Sequence, residues 1–286
     1  MKKWTKVATG LIAIFAVASL AACGAKKSDA SKDGVKTYTV GVASDQQKEI
    51  WQKVSDSLKN DKIKIDVKLF SGYTEENPAL ADGSLDLNSF QHVAYLNNYN
   101  KENKKDLTYI GYTIISPFGL YSDKIKDPKE LKDGDKVAIP NDPTNGGRAL
   151  QALQALGVIK LKADAPESPD VKDIASYKTK IEIKAIQADQ LVSTLPDVTA
   201  AFINTNYVTD QLHTTPKKSA IYIDTDHLDK VSELYKNIIA VRKEDKNKED
   251  FKKILKAYQT PEIAKIIQST NDYPAWDTTK YGKPSR

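Results

Sequence analysis

The sequence predicts an α/β protein of two lobes, with a ligand cleft between the lobes and two crossover strands joining them. Three observations support this prediction. Segments of alternating apolar residues adjoin segments with an apolar residue every three or four positions, which is typical of β-α-β units. The alternation of strand and helix patterns is interrupted once along the chain and then resumes. Two extended segments, near residues 112–121 and 237–242, lie where the chain would pass between the lobes.

The first 22 residues have the layout of a signal peptide. Three lysines precede an uncharged apolar run over residues 7–22, which is too short to span a bilayer comfortably. Small residues end the run directly before Cys23, and this ending resembles a bacterial lipobox. We therefore expect residues 1–22 to be removed and Cys23 to carry acyl chains. An ordinary secretory peptide followed by a chance cysteine is the alternative.

Residues 23–36 are predicted to tether the globular part to the membrane. Residues 24–36 are small, polar and charged and show no apolar period, so they cannot offset the entropy of ordering. A lipidated cysteine and a flexible tether predict a protein held at the extracytoplasmic face of the cell membrane.

The charge of the chain argues against nucleic acid as a partner. The full chain has 43 basic and 38 acidic side chains, and removal of the leader with its three lysines leaves a net charge of +2. Basic and acidic residues alternate along the sequence, so no basic stripe forms. The single cysteine allows no intramolecular disulfide, and stability must therefore come from a hydrophobic core.

The first lobe is predicted to begin with a β-α-β unit. Apolar residues alternate over residues 38–42 and 63–69, and Ile50, Val54 and Leu58 recur every four residues between these strands. We therefore expect one helix that packs against two parallel strands.

Three more elements are expected before the first crossover. Asn77 followed by Pro78 is typical of a helix start, with Asn77 as the cap and Gly83 as the helix end. An extended run over residues 85–90 and a helix over about 92–103 follow.

The second lobe repeats the alternation of strand and helix. A strand over residues 137–139 precedes a helix over 148–156, which Gly157 ends. Further strands are expected over 181–186 and 200–203.

The chain then returns to the first lobe through an extended segment near residues 238–241. Two amphipathic helices, one over residues 251–258 and one after Pro261, are assigned to the first lobe. The expected division of the chain is a signal peptide over 1–22, a lipidated cysteine and tether over 23–36, a first lobe over 37–114 plus 242–286, and a second lobe over 115–241.

The most specific local signal covers residues 138–148. A strand ends, a proline-bracketed turn follows, and a helix opens with Thr144 or Asn145 as its cap. Backbone N–H groups at a helix start suit an anion, and Arg148 can grip a carboxylate through two hydrogen bonds. A well-capped helix with a surface arginine is the alternative.

Aromatic side chains also follow predicted strands, where ligand clefts of α/β sheets lie. Phe90, His92 and Tyr95 fall within six residues and could form the wall for an apolar or polarizable ligand group. Alternatively, Phe90 belongs to the core and His92 caps a helix. Tyr73 is a further candidate for the wall, or a turn residue.

Two asparagines complete the candidate site. Asn204 directly follows a predicted buried strand, where its amide can accept from an ammonium and donate to a carboxylate. A plain helix cap is its alternative role. Asn237 precedes the apolar run at the second crossover and could reach the same cleft.

Three segments then carry a family resemblance. NPALADGSLDLNSFQHVAYL, VAIPNDPTNGGRALQALQALGVIKL and AAFINTNYV, in this order after a lipobox, resemble the NlpA family of methionine-binding lipoproteins. The resemblance runs from about Tyr38 to Tyr258. It implies a type II periplasmic-binding-protein-like fold that holds methionine between its lobes. It also implies the permease and ATPase of an ABC importer as partners.

The resemblance implies roles for individual residues. Arg148 would hold the ligand carboxylate, and Asn204 and Asn237 would hold its amino and carboxyl groups. Asn145 would support the turn. Four side chains would surround the thioether, namely Tyr73, Phe90, His92 and Tyr95.

Two positions depart from what is common in the family. Gly146 and Gly147 occupy a place where relatives often have a larger residue, and Ser116 stands where an aliphatic or aromatic residue is frequent. Both departures could enlarge the pocket, so a methionine-containing dipeptide or another small amino acid is the alternative ligand.

Other classes of function have weaker support. No enzyme activity is expected, because the chain has no Gly-x-Ser-x-Gly motif, and its cysteine is assigned to lipid. A metal-binding receptor would have to use His92, His213 or His227, and no closely spaced pair of histidines preorganises a site. No cofactor is expected.

Overall fold

A computed structural model of the chain describes residues 34–224, 233–270 and 272–277. The predicted signal peptide, Cys23, most of the tether and His227 lie outside these ranges. In the part of the chain that the structure describes, no helix combines the length and the apolar character needed to cross a membrane.

The described strands fall into a first and a second half of the chain. In the first half they are β1 (Lys36–Val42), β2 (Ile63–Leu69), β3 (Leu87–Asn88), β4 (Thr108–Tyr112), β5 (Ile114–Ile115), β6 (Phe118–Tyr121) and β7 (Lys136–Pro140). In the second half they are β8 (Ile159–Leu161), β9 (Ile174–Tyr177), β10 (Glu182–Ile186), β11 (Ala200–Asn204), β12 (Tyr222–Ile223), β13 (Ile238–Val241) and β14 (Tyr273–Pro274).

The described α-helices alternate with these strands. They are α1 (Asp45–Ser57), α2 (Glu76–Asp82), α3 (Val93–Asn103), α4 (Pro143–Ala155), α5 (Leu191–Thr194), α6 (Thr205–Leu212), α7 (Pro216–Ser219), α8 (Glu249–Tyr258) and α9 (Pro261–Gln268).

The first sheet has the strand order β2-β1-β3-β13-β4. β1 runs parallel to β2 and β3, whereas β13 runs antiparallel to β3 and β4. Helices α1 and α8 pack on this sheet, and Trp51, Phe251 and Ile254 are fully buried between them. The predicted β-α-β unit at the start of the lobe is confirmed.

The second sheet has the strand order β10-β7-β11-β6-β12. β7 is parallel to β10 and β11, whereas β6 is antiparallel to β11 and β12. Leu150 and Leu153 of α4 are buried in a separate core with Phe118 and Phe202. Two sheets with separate cores confirm the predicted α/β fold of two lobes.

The path of the chain between the sheets differs from the prediction in one detail. Ile238–Val241, which the expected division placed at the end of the second lobe, pairs with β3 and β4 in the first sheet. A four-residue apolar run satisfies either sheet equally well, so its sequence did not determine which sheet it joins. The other lobe boundaries remain a proposal.

The start of α2 also differs from the prediction. The helix begins at Glu76 after Glu75, so Asn77 lies inside the first turn and does not cap it. Proline is tolerated throughout a first turn, because the N–H groups there have no partner within the helix. The predicted end is confirmed, since Gly83 adopts a φ of +85°.

Candidate functional site

A cleft between the two sheets is lined by residues of both lobes. It encloses about 650 Å³ of space, including space open to solvent. The cleft contains in its wall all eight side chains that the sequence predicted as ligand-binding: Tyr73, Phe90, His92, Tyr95, Asn145, Arg148, Asn204 and Asn237.

Arg148 projects from α4 and is buried, with a side chain only 7% exposed. Its Nε donates to Asp224 Oδ2 at 2.6 Å, and its Nη2 donates to the carbonyl oxygen of Ser116 at 3.1 Å. Its guanidinium carbon also lies 5.1 Å from the ring centre of Phe118 and 4.9 Å from that of Tyr235. The alternative of a surface arginine is therefore wrong, and Arg148 is a cation fixed in the cleft wall.

The cap of α4 is Asp142, and the prediction of Thr144 or Asn145 is wrong. Asp142 Oδ1 accepts from the backbone N–H of Thr144 at 3.1 Å and of Asn145 at 2.9 Å. These N–H groups therefore bind a carboxylate of the chain itself and not an external anion. Pro143 at the first helical position was the signal for this cap, because proline favours that position.

The two glycines of α4 do not enlarge the cleft. A Cβ atom at Gly146 would lie 2.8 Å from the carbonyl oxygen of Pro140, and one at Gly147 would lie 2.9 Å from Cα of Ser168. Neither glycine lines the cleft, whereas Ser116 does. The glycines instead permit close packing of the helix start against neighbouring backbone.

Asn145 connects the two lobes inside the cleft. Its Nδ2 donates to Asp142 Oδ2 at 3.0 Å. Its Oδ1 accepts from Asn204 Nδ2 at 3.1 Å and faces Nε2 of His92, which belongs to the other lobe, at 3.4 Å. Asn145 thus fixes the orientation of both side chains.

Asn204 presents an acceptor to the cleft. It precedes α6 at the cap position, but its side chain makes no capping hydrogen bond. Its Oδ1 is buried and has no hydrogen-bond partner among the described residues. Because an unsatisfied buried acceptor is costly, this oxygen is suited to a donor group of a ligand.

His92 is an uncharged part of the wall. Its Nδ1 accepts from the backbone N–H of Tyr95 at 3.1 Å, so the neutral ring carries its proton on Nε2, which points to Asn145. Burial lowers the pKa of His92 to about 3, and the nearby charge of Arg148 contributes. The expectation that His92 caps a helix is confirmed, and His92 lines the cleft as well.

Three aromatic rings form one continuous wall. The ring centres of Tyr73 and Phe90 lie 5.7 Å apart, as do those of Phe90 and Tyr95. Tyr95 donates from its hydroxyl to the carbonyl oxygen of Tyr73 at 2.9 Å. Burial raises the pKa of both tyrosines, so both rings carry a neutral hydroxyl.

Asn237 is held in place by its backbone. Its N–H donates to the carbonyl oxygen of Ile114, and its own carbonyl oxygen accepts from Thr113, both at 2.8 Å. Asn237 also forms an isolated bridge with His92. The residue is 8% exposed and lines the cleft between these contacts.

Among the residues that sequence reasoning missed are Asn206 and Asp272, which line the cleft, and Asp224, which holds Arg148. Asn206 Nδ2 donates to the carbonyl oxygen of Ala43 in the other lobe at 3.0 Å. Its Oδ1 accepts from the hydroxyl of Tyr73 at 2.5 Å. Asp272 lies in a segment without apolar periodicity, which gave no signal. Asn206 lies two residues after Asn204, and Asp224 directly follows the short strand β12, so both could have been considered.

The described residues contain no group of three or more His, Cys, Asp or Glu side chains placed to hold a metal ion. His213 is exposed after the end of α6, and His92 faces an amide.

The NlpA lipoprotein family model matches residues 38–276. A relative in Vibrio cholerae named "Probable D-methionine-binding lipoprotein MetQ" is 39% identical over 260 residues, which cover 89% of this chain and 92% of the relative. The "D-methionine-binding lipoprotein MetQ" of Escherichia coli strain K12 is 38% identical over 251 residues, covering 86% of this chain and 89% of the relative.

Solved structures show the same likeness. A nutrient-binding protein from Burkholderia cenocepacia bound to methionine is 41% identical with a TM-score of 0.75, over 81% of this chain and 95% of that chain. The substrate-binding protein of a methionine transporter from Streptococcus pneumoniae is 32% identical with a TM-score of 0.77, over 84% and 96%.

Proposed function

The chain belongs to the NlpA lipoprotein family, and on this basis we propose that it is a receptor that binds methionine between its lobes for an ABC importer. The proposal is one of binding and delivery, without a chemical reaction. Relatives named for D-methionine and a solved relative bound to methionine support the choice of ligand.

One observation carries the proposal: the cleft combines a buried cation with an unpartnered acceptor. Arg148 supplies a guanidinium with five N–H donors, and the contacts described above use two of them. Asn204 Oδ1 supplies the acceptor. A free amino acid carries a carboxylate and an ammonium on adjacent atoms, so its charges match this pair.

The aromatic wall accounts for the side chain of the ligand. Tyr73, Phe90 and Tyr95 line the same cleft as Arg148 and present neutral rings. A thioether gains about 0.3–1.5 kcal/mol from each favourable contact with an aromatic ring. We infer that methionine lies with its sulfur against these rings and its charged end towards Arg148, Asn204 and Asn237.

Ligand retention tests the proposal directly. The freshly purified, undialysed protein is expected to carry a bound molecule with the mass of methionine in native mass spectrometry. A methionine-containing dipeptide would appear at a higher mass, and calorimetric titration of the stripped protein with each enantiomer would separate L- from D-methionine. A protein that neither retains nor binds methionine in either form would contradict the proposal.

Hydrogen bonds join the two lobes across the cleft, and Asn206 makes two of them. It contacts Ala43 and Tyr73 of the first lobe from the start of α6 in the second. Because a ligand enclosed by two lobes favours the closed state, contacts made only in that state contribute to its affinity.

Asn206→Ala is therefore expected to weaken methionine binding by about 1–2 kcal/mol, since two hydrogen bonds of the closed state are lost. Calorimetric titration measures the change, and small-angle X-ray scattering of the ligand-free protein should show a larger radius of gyration. Asn103→Ala is the matched control, because Asn103 donates only to Tyr99 within its own helix. Equal affinities of the two variants would contradict the role of Asn206.

We also infer the location and the partners of the receptor from the family. Lipidation at Cys23 would anchor the protein to the extracytoplasmic face of the cell membrane. The closed, loaded receptor would then dock on the permease of the importer, whose ATPase drives transport.

A further inference from the structure

Asp272 is a buried carboxyl group in the wall of the ligand cleft. The residue is only 3% exposed and lines the cleft together with Ser116 and Asn237. Its Oδ1 has no hydrogen-bond partner among the described residues. A buried acceptor without a partner is rare in folded proteins and calls for an explanation.

The position of Asp272 is fixed by strand pairing. β14 runs antiparallel to β5, with Tyr273 opposite Ile115 and Pro274 opposite Ile114. This register, continued by one residue, places Asp272 opposite Ser116, whose carbonyl oxygen accepts from Arg148. Asp272 therefore lies across from the residue whose carbonyl oxygen binds Arg148.

Two side-chain oxygens of the cleft wall share the same unusual state. Among the buried side-chain atoms that lack a partner in the described ranges, Oδ1 of Asn204 and Oδ1 of Asp272 belong to residues that line the ligand cleft. An ammonium group has three N–H donors and needs several acceptors when it is buried. A cleft with two such acceptors therefore suits an ammonium group better than a cleft with a single acceptor.

We propose that Asp272 is a further ligand-binding residue, whose carboxylate receives the ammonium group of the bound amino acid together with Asn204. This inference rests on the proposed function, because it assumes an amino acid in the cleft. It adds a charged partner for the ammonium group, for which the residues considered so far offer only amide oxygens.

The ionisation of Asp272 makes this role measurable. Burial raises the pKa of Asp272 to about 7, although the hydroxyl groups of Ser116 and Thr270 lower it. An ammonium group next to the carboxylate favours the charged form of Asp272. Ligand binding therefore promotes loss of the Asp272 proton, and loss of that proton strengthens ligand binding. The affinity for methionine is thus expected to rise with pH until Asp272 is ionised in the free protein.

The other titratable groups around Asp272 stay in one protonation state through this range. Tyr258 faces it from α8, and burial and the charge of Asp272 raise the pKa of Tyr258. In the cleft wall, burial lowers the pKa of His92 to about 3. The guanidinium of Arg148 pairs with the carboxylate of Asp224. Tyr73 and Tyr95 have raised pKa values. Of these groups Asp272 has the pKa nearest neutral, and the variant Asp272→Asn separates its effect from that of Glu76, whose pKa burial raises to about 8.

The test is calorimetric titration of the full-length mature protein with L-methionine, and with D-methionine, between about pH 5.5 and pH 8.5. We expect wild-type affinity to rise roughly tenfold over this range and to level off at its upper end. Asp272→Asn removes the charge and keeps the shape, so its affinity should not change with pH and should be roughly tenfold weaker at pH 8.5. Asp164→Asn is the control, because Asp164 is exposed and outside the cleft wall, and it should behave as wild type.

A ligand without an amino group gives a second measurement. 4-(Methylthio)butanoate is methionine without its ammonium group, so at pH 8.5 wild type should bind it far more weakly than methionine, and Asp272→Asn should discriminate less. A wild-type affinity that does not change with pH would overturn the inference even if the variant failed to fold. Equal discrimination by wild type and a folded variant would also overturn it. If wild type binds neither enantiomer, the proposed function falls as well, and the two failures are thereby distinguished.

Discussion

Arg148→Ala is expected to weaken methionine binding more than a hundredfold, which corresponds to about 3–5 kcal/mol. The ligand carboxylate would be buried without a cation, and Asp224 would also lose the partner that it contacts at 2.6 Å. Calorimetric titration near neutral pH measures the loss. The same substitution should lower the free energy of unfolding, because among the described residues Asp224 would keep the backbone N–H of Phe118 as its hydrogen-bond donor and lose the guanidinium.

A second arginine separates loss of binding from loss of stability. Arg242 is also largely buried, pairs with Asp245 at 2.6 Å and donates to the carbonyl oxygen of Leu80 at 3.0 Å, but it does not line the cleft. Arg242→Ala should therefore lower the free energy of unfolding and leave the affinity for methionine unchanged. Wild-type affinity in Arg148→Ala, or an equal loss in both variants, would show that the carboxylate is held elsewhere.

Glu76→Gln is expected to change the pH dependence of stability. Glu76 is fully buried, and neither of its carboxyl oxygens has a partner among the described residues. Burial raises the pKa of Glu76 from 4.5 to about 8. Between these two values the folded state keeps a proton that the unfolded state has lost, so the free energy of unfolding falls as pH rises. The loss amounts to about 4 kcal/mol across this window.

Glutamine carries no titratable proton, so this contribution should disappear in Glu76→Gln. Urea unfolding of wild type and variant between about pH 5 and pH 8.5 should give stabilities that converge or cross at low pH, with the variant gaining about 4 kcal/mol relative to wild type by the upper end. The change of stability with pH is the quantity to compare, because the N–H donors of the glutamine amide alter the absolute stability at every pH. Glu75→Gln, at the exposed neighbouring position, should keep the wild-type slope. Parallel curves for wild type and Glu76→Gln would contradict a protonated Glu76.

Periodicity predicted the regular elements of the fold, because each of them buries one face. The alternation over 63–69 and the four-residue spacing of Ile50 and Val54 correspond directly to β2 and α1. β13 was assigned to the wrong lobe, since its four residues are buried on all sides and carry no mark of a particular sheet. Helix starts were displaced where several neighbouring residues were able to cap, as at Asp142 and Thr144.

Candidate site residues were predicted where they directly follow strands. Arg148, Asn204 and Phe90 lie near strand ends, and parallel strands bring those ends to one edge of a sheet. Asp224 directly follows β12 and could have been found in this way. Asp272 precedes β14, and its position depends on pairing between segments far apart in sequence, which local patterns do not encode.

The pairing of β14 with β5 limits how the lobes can move. Ile114 and Ile115 are bound to the tail of the first lobe. The next two carbonyl oxygens along the chain, of Ser116 and Pro117, accept from Arg148 and Thr205 of the second lobe. At the first crossover the chain therefore passes within a few residues from partners in the first lobe, at Ile114 and Ile115, to partners in the second, at Ser116 and Pro117. A connection this short leaves few backbone torsions for a change in the angle between the lobes. Arg148 contacts one of its residues, Ser116.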